Sequence, residues 1–153
     1  GAKMKQRPQA LEIGKADVIQ EGDDFAILGL GALLPMAKDL ARALEQQGYS
    51  AAVINPRFIK PLDRELIARY AKRATALVTF EDHVLMGGFG STVLETLSEM
   101  GIETPVIRIG WPDRFIEHGK VDQLRARHGV SVEAALEKLA PHLKRGIPRL
   151  VAQ

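Results

Sequence analysis

The chain of 153 residues contains no cysteine, few aromatic residues and no long apolar run. Without cysteine it can form neither disulfides nor thiolate metal sites, a pattern that suits the cytosol. No apolar stretch approaches the roughly 18 residues of a membrane span, and the polar first residues are not expected to form a signal peptide. The net charge of +2 is too small to indicate a nucleic-acid-binding surface. We therefore expect a cytoplasmic protein without membrane or nucleic-acid partners.

Several familiar ligand-binding motifs are incomplete. Segment 29–34 begins like a dinucleotide fingerprint, but Leu34 replaces its third glycine and the next predicted strand ends at Asn55 instead of an acid. Segment 87–90, Gly-Gly-Phe-Gly, could offer N–H groups to a phosphate, yet it lacks the basic residue of a P-loop. The four histidines are not spaced as metal-ligand pairs, and no serine lies in a G-x-S-x-G motif. The residues alone therefore favour binding or assembly over catalysis.

The segments that are present predict an α/β domain. Hydrophobic residues make up 46% of the chain and charged residues 26%, as in ordinary globular proteins. Short apolar runs alternate with amphipathic segments, which predicts a three-layer Rossmann-like domain of about five strands in a mostly parallel sheet. We expect this domain to cover residues 11–145, after a flexible segment at 1–10 and before a peripheral tail at 146–153.

The first predicted strand is antiparallel to the rest. Apolar residues at 18–20 and 25–28 flank Glu-Gly-Asp-Asp at 21–24, which is turn chemistry and predicts a β-hairpin between neighbouring strands. A short extended piece is also expected at 11–13. Further strands are expected at 51–55, 76–83 and 105–109.

The predicted helices follow from apolar spacing and capping residues. After Gly31, five apolar positions fall on one helical face, at Leu33, Ala37, Leu40, Ala41 and Leu44. Asp63 is expected to cap a helix that extends to about Arg73. Further helices are expected at 92–100, 121–128 and 131–144.

The junction after the strand at 76–83 is the natural functional edge of such a sheet. Ligands of open α/β sheets gather at the carboxyl ends of strands, and here the strand ends in Glu81, Asp82 and His83, followed by the glycines of segment 87–90. The glycines either let the next helix pack closely on the sheet or serve a ligand. The acids beside histidines, here and at Glu117–His118, could support acid–base chemistry only if they met across the fold.

The segment 112–119, Pro-Asp-Arg-Phe-Ile-Glu-His-Gly, resembles a loop of the 1-deoxy-D-xylulose-5-phosphate synthases, which are transketolase-like thiamine diphosphate enzymes. The resemblance extends from residue 11 to about 143 and includes Lys-Pro-Leu-Asp at 60–63 and Gly-Gly-Phe-Gly at 87–90. Those two pieces are shared with the β-subunits of 2-oxo acid dehydrogenases, whereas segment 112–119 selects the synthases. Trp111 departs from the pattern, since a small aliphatic residue is usual there.

The resemblance implies the C-terminal domain of an enzyme that condenses pyruvate with glyceraldehyde 3-phosphate in isoprenoid precursor synthesis. Thiamine diphosphate and Mg²⁺ would lie on two preceding domains, so this chain is expected to bind no cofactor and to be inactive alone. The family's metal motif pairs Gly-Asp-Gly with a later asparagine. Gly22-Asp23-Asp24 and Asn55 resemble it only by coincidence.

Two alternatives are open. One is the C-terminal domain of a 2-oxo acid dehydrogenase β-subunit, which docks a partner core. The other is a free-standing α/β domain that binds a small molecule. A genomic neighbour that encodes a Gly-Asp-Gly domain would favour the synthase, whereas one that encodes a lipoyl domain would favour the dehydrogenase.

The expected partners are the preceding domains of the same enzyme and a second subunit in a homodimer. Trp111 and Phe115 are predicted to lie in one irregular segment. Their side chains either pack on the domain's own core or are exposed for contact with a partner. The predicted interface comprises Glu81, Asp82, His83, Gly88, Phe89, Gly90, Trp111, Arg114, Phe115 and His118.

Overall fold

A computed structural model of the chain describes residues 10–143. The predicted tail at 146–153 and nearly all of the predicted N-terminal segment lie outside this range. Within it, no helix is long and apolar enough to cross a membrane.

Five strands form one mixed sheet in the order β1-β3-β2-β4-β5. They are β1 (Asp17–Gln20), β2 (Phe25–Gly29), β3 (Ala51–Asn55), β4 (Ala76–Val84) and β5 (Val106–Trp111). The pairs β2–β3, β2–β4 and β4–β5 are parallel, whereas β1 pairs antiparallel with β3. This confirms the predicted fold class, with one antiparallel strand at the N-terminus.

The predicted β-hairpin between β1 and β2 is wrong. β1 lies beside β3, with Asp17 opposite Asn55. The connection at 21–24 passes beneath the start of β3, where a Cβ atom on Gly22 would lie 2.2 Å from the carbonyl carbon of Ala51. Asp24 fixes this crossing, because its carboxylate accepts a hydrogen bond of 2.8 Å from the N–H of Ser50. The turn residues therefore serve a close crossing that delivers β2 to the centre of the sheet.

Helices cover both faces of the sheet, which completes the three layers. The face that carries α1 (Leu34–Glu45) and α5 (Val132–Leu139) encloses one apolar cluster, and the face that carries α2 (Arg64–Ala71) and α3 (Phe89–Glu99) encloses the other. A shorter helix, α4 (Val121–Arg127), has no fully buried residue. All five apolar positions predicted on the face of the first helix are buried.

Local differences from the predicted elements have simple causes. Residues 31–33 form a 3₁₀ turn before α1, and Pro141 falls in a second 3₁₀ turn at 140–142 that follows α5. Segment 11–13 leads into a turn at Gly14, whose φ is +77°, instead of a strand. Asp63 caps α2 as predicted, since its Oδ1 accepts from the N–H of Leu66 at 3.2 Å.

Candidate functional site

The carboxyl ends of the four parallel strands place the candidate residues along one edge of the sheet. Between β2 and β4 the strand order reverses, which is where open α/β sheets usually bind ligands. Here the N–H of Leu30 donates to the carbonyl of Phe80 at 3.0 Å, which continues the ladder between β2 and β4 by one hydrogen bond beyond Gly29. Gly29 permits close packing of α1, since a Cβ there would lie 2.8 Å from the Cβ of Ala37. The partial fingerprint at 29–34 is thus a packing turn.

Glu81 is fully buried beneath the first turn of α3. Its Oε2 accepts from the N–H of Phe89 at 2.6 Å, and its Oε1 accepts from the N–H of Gly90 at 2.9 Å. A helix N-terminus favours negative charge, and these N–H groups have no partner within the helix. The chain's own carboxylate therefore occupies the position that a phosphate would take. The N–H groups of Phe89 and Gly90 already donate to Glu81 and are not available to a phosphate.

Two glycines make room for this buried carboxylate. A Cβ on Gly88 would lie 2.2 Å from the Oε2 of Glu81, and a Cβ on Gly110 would lie 2.9 Å from its Cγ. Gly88 has an extended backbone with φ −82° and ψ −168°, so steric space, and not a left-handed conformation, requires glycine there. Gly90 is similar, since its Cβ would lie 2.6 Å from the Oγ1 of Thr79.

Asp82 joins three elements at the open side of the same edge. Its Oδ1 accepts from the indole Nε1 of Trp111 at 2.7 Å, and its Oδ2 accepts from the guanidinium of Arg125 in α4 at 2.5 Å. Trp111 is the last residue of β5 and packs partly against the apolar cluster beneath α1 and α5. Trp111 therefore contacts its own domain on one side, through Asp82 and the apolar cluster.

A second polar cluster holds the loop that follows β5 against α4. The carboxylate of Glu117 accepts from Arg127 and contacts Nε2 of His128 at 3.1 Å. The Nη2 of Arg114 lies 3.2 Å from Nδ1 of His128. Because a guanidinium only donates, Nδ1 must accept, so the His128 proton lies on Nε2 and points to Glu117.

This cluster shifts the titration of Glu117. The pKa of Glu117 falls from an ordinary value of 4.5 to about 2, first because its own backbone N–H donates to the carboxylate and then through Arg127 and His128. The loop carboxylate therefore stays ionised at any physiological pH, and the restraint on the loop stays in place.

Of the two aromatics predicted in one irregular segment only Phe115 lies there, because Trp111 belongs to β5. The exposure of Phe115 is 104%. Beside it, Trp111, Ile116, Val121 and Leu124 line an apolar groove of about 260 Å³. We call residues 111–119 together with this groove the loop surface. It is the one part of the predicted interface where a large apolar side chain stands fully in solvent.

The acid–histidine pairs do not form a catalytic arrangement. The Nδ1 of His83 contacts the carbonyl of Val84 at 3.0 Å, while Glu81 lies inside the domain and Glu117 pairs with His128 instead of His118. Among residues 10–143, no group of three or more His, Cys, Asp or Glu could hold a metal ion.

The residues that resemble a magnesium motif lie at opposite ends of β3. Asn55 ends β3, whereas Gly22 packs against Ala51 at the start of that strand. Four residues of strand separate the two ends by about 13 Å. The Asn55 side chain accepts from the N–H of Arg57 at 3.1 Å. These residues therefore do not fit a shared metal–diphosphate site.

The structure narrows the predicted interface. Four of the ten residues are buried within the domain, namely Glu81, Gly88, Phe89 and Gly90, where they contribute to packing and to the cap of α3. The accessible ones are Asp82, His83, Trp111, Arg114, Phe115 and His118. Sequence reasoning missed Arg125, Arg127 and His128, although three cationic or titratable side chains at the end of one short helix, near an acidic loop, were a signal of charge pairing.

The fold and the carboxyl ends of its strands define an α/β domain in which a strand-end carboxylate caps the following helix. The chain belongs to the transketolase C-terminal domain family, whose model matches residues 14–134. It is 69% identical over 148 residues to the 1-deoxy-D-xylulose-5-phosphate synthase of Acidobacterium capsulatum, and 53% identical over 144 residues to that of Methylacidiphilum infernorum. These alignments cover 97% and 94% of the chain but 24% and 23% of the relatives.

The chain thus spans about a quarter of the curated relatives it matches and corresponds to their C-terminal portion. These identities support the synthase over the dehydrogenase β-subunit and over a free-standing small-molecule binder.

Solved structures agree on the fold. A structure titled split gene transketolase, inactive beta4 tetramer, has a TM-score of 0.80 and 34% identity, covering 87% of this chain and 43% of that one. The transketolase of Campylobacter jejuni has a TM-score of 0.56 at 18% identity, covering 84% of this chain and 18% of that one. The second likeness bears on the fold alone.

Proposed function

We propose that this chain is the non-catalytic C-terminal assembly domain of a thiamine-diphosphate-dependent 1-deoxy-D-xylulose-5-phosphate synthase. The parent enzyme would join pyruvate and glyceraldehyde 3-phosphate to give 1-deoxy-D-xylulose 5-phosphate for isoprenoid synthesis. The observation that carries the proposal is the 69% identity over 148 residues to the C-terminal quarter of an enzyme with that name.

The geometry of the sheet edge supports a role without chemistry. The N-terminus of α3 is capped by Glu81, whose carboxylate accepts from the N–H groups of Phe89 and Gly90. The residues that resemble the magnesium motif lie at opposite ends of β3. Thiamine diphosphate and Mg²⁺ would therefore be held by the preceding domains of the parent enzyme, with no step carried out by this chain.

The proposed partners are the preceding domains and a second subunit. The loop surface supports this, since a fully exposed phenylalanine beside an apolar groove is typical of a contact surface. The related protein at 34% identity is titled a β4 tetramer, which is consistent with self-association in this family. The cytoplasmic location stays a prediction.

A hybrid enzyme tests the proposal. The C-terminal quarter of the Acidobacterium capsulatum synthase would be replaced by this chain, and formation of 1-deoxy-D-xylulose 5-phosphate would be measured. We expect the hybrid to be active, while the synthase without that quarter and this chain alone would form no product. An inactive hybrid that folds and binds thiamine diphosphate would contradict the assignment.

Calorimetry of this chain alone tests the non-catalytic role separately. Thiamine diphosphate with Mg²⁺ should give no saturable heat, because the residues for a metal–diphosphate site are absent from the described fold. Saturable binding at micromolar concentration would show that the domain itself holds the cofactor.

A further inference from the structure

His128 lies between two loop side chains of opposite charge. Its own side chain is only 5% exposed and packs against the ring of Trp111, with 5.9 Å between the ring centroids. Nδ1 lies 3.2 Å from Nη2 of Arg114, and Nε2 lies 3.1 Å from Oε2 of Glu117. Because the guanidinium only donates, the neutral ring accepts at Nδ1 and donates from Nε2. Each nitrogen of His128 therefore holds a different point of the loop 112–119.

His128 is the member of this cluster whose charge changes near neutral pH. Histidine titrates between about pH 5 and 8, whereas an arginine side chain stays charged throughout that range. The pKa of Glu117 is about 2, so its carboxylate is ionised as well. Two ion pairs flank the ring, Arg127–Glu117 and Arg125–Asp82. The change of charge around the loop near neutral pH is therefore set by one imidazole ring.

Protonation changes what the ring offers to its two neighbours. A protonated imidazole donates from both nitrogens. The Nε2–H group keeps its hydrogen bond to the carboxylate of Glu117, and the added charge strengthens that bond. At Nδ1 a donor now faces the donors of Arg114, and the two cations repel each other. Protonation of His128 therefore removes the hydrogen bond that holds Arg114 and retains the one that holds Glu117.

The hydrogen bond that protonation removes lies next to the exposed aromatic of the loop. Phe115 directly follows Arg114 in the chain. The backbone N–H of Arg114 donates to the carbonyl of Pro112 at 2.9 Å, which forms a short turn before Phe115. The side chain of Arg114 ties this turn to the end of α4 through His128. Release of Arg114 therefore loosens the turn that orients Phe115.

We propose that His128 is a pH-sensitive switch for segment 112–116, in which the neutral ring holds Arg114 and the protonated ring releases it while Glu117 stays bound. The inference goes beyond the assembly role and does not depend on it, because every contact in the switch lies within this chain. Phe115 is thus held in one orientation at mildly alkaline pH and is less ordered at mildly acidic pH.

Hydrogen exchange of the Arg114 amide, followed by NMR in the 153-residue chain, tests the switch. Protection of this amide, corrected for the intrinsic effect of pH on exchange, should fall by about 3- to 10-fold between about pH 8 and about pH 5, as expected for the loss of one hydrogen bond. The amide of Leu66, which donates to Asp63 at the start of α2, is the internal reference and should keep its protection. Nitrogen NMR of the His128 ring at about pH 8 should place the proton on Nε2.

His128→Gln provides the matched variant, because a glutamine amide offers one acceptor and a donor group, as the neutral ring does, and does not titrate. Its Arg114 amide should be equally protected at both pH values. His118→Gln removes an exposed histidine of the same loop and should leave the fall in protection unchanged. Arg114→Met removes the guanidinium, so the amide at position 114 should be weakly protected at both pH values. This variant decides the matter if His128→Gln does not fold.

Four results would overturn the proposal. Equal protection of Arg114 at the two pH values would mean that His128 does not control the segment, and an unchanged fall in His128→Gln would assign the effect to another group. A proton on Nδ1 at about pH 8 would remove the acceptor on which the Arg114 contact depends. A parallel loss of protection at Leu66 would show a general loosening of the fold instead of a local switch.

Discussion

Two segments at the carboxyl ends of the strands both contain acids, glycine and aromatic residues. Their acidic and aromatic side chains nevertheless lie in different environments. In segment 81–90 one carboxylate and the aromatic ring are buried, since Glu81 caps α3 and Phe89 is 2% exposed. Segment 111–119 fixes its backbone with surface ion pairs and leaves Phe115 in solvent. The first is part of the folded core, and the second is an ordered surface.

The difference arises from where each carboxylate finds its donors. Glu81 is buried, and a buried carboxylate without full hydrogen bonding is strongly disfavoured, so the N–H groups of α3 and the glycines around it are obligatory. Glu117 remains partly in water and pairs with Arg127 of α4 and with His128, the residue that follows this helix. Substitutions should therefore affect stability in the first segment and association in the second.

The largest contrast is expected between two phenylalanines, both of which the sequence placed in an interface. Phe89→Ala should destabilise the domain by about 3–5 kcal/mol, the usual loss for a buried phenylalanine. Phe115→Ala should change stability by no more than ~0.5 kcal/mol, as for other exposed positions. Urea unfolding of both variants measures the two values, and equal losses would mean that Phe115 packs on its own core.

A smaller effect is expected at the glycines beside Glu81. Gly88→Val should cost about 2–4 kcal/mol, since its side chain would displace the Glu81 carboxylate and weaken the cap of α3. The neighbouring Gly87 has φ +68° and open space around it, so Gly87→Ala should cost only about 1 kcal/mol of backbone strain. Thermal melts compare the pair. If Gly88→Val proved as mild as Gly87→Ala, the buried cap would be dispensable.

Local sequence signals predicted most of the fold. The apolar spacing from Leu33 to Leu44 and the cap at Asp63 depend on neighbours in the chain, and the structure has both. The partner of β1 was missed because turn chemistry at 21–24 looks the same in a hairpin and in a crossing beneath β3. What distinguishes them is the contact between Gly22 and Ala51, which no local pattern reveals.

The candidate site was also predictable only in part, because local patterns do not reveal contacts between distant residues. Sequence position placed Glu81 and Phe115 at strand ends, but burial of one and exposure of the other depend on how α3 and α4 pack. His128 could not be linked to Glu117 from the sequence, because 11 residues separate them and the loop conformation brings them together. Side-chain partners across loops follow from tertiary geometry alone.

The smallest effect is expected at the ion pairs of the loop, and it appears as a dependence on pH. The pKa of Glu117 is about 2 in the folded chain and 4.5 when unperturbed. Because the pKa of Glu117 is lower in the folded chain, the ionised form stabilises the fold fully above about pH 4.5, and this contribution disappears as the pH falls toward 2.

Glu117→Gln removes the titration, so the variant should be slightly less stable than the original near pH 7 and should converge with it in acid. Urea midpoints between pH 7 and about pH 2.5 test this, with Glu95→Gln on the exposed face of α3 as control. A difference that stayed constant down to the lowest pH would mean that the Glu117 carboxylate does not hold the loop through its charge. Convergence would show that the loop surface is restrained by ion pairs, in contrast to the buried cap at Glu81.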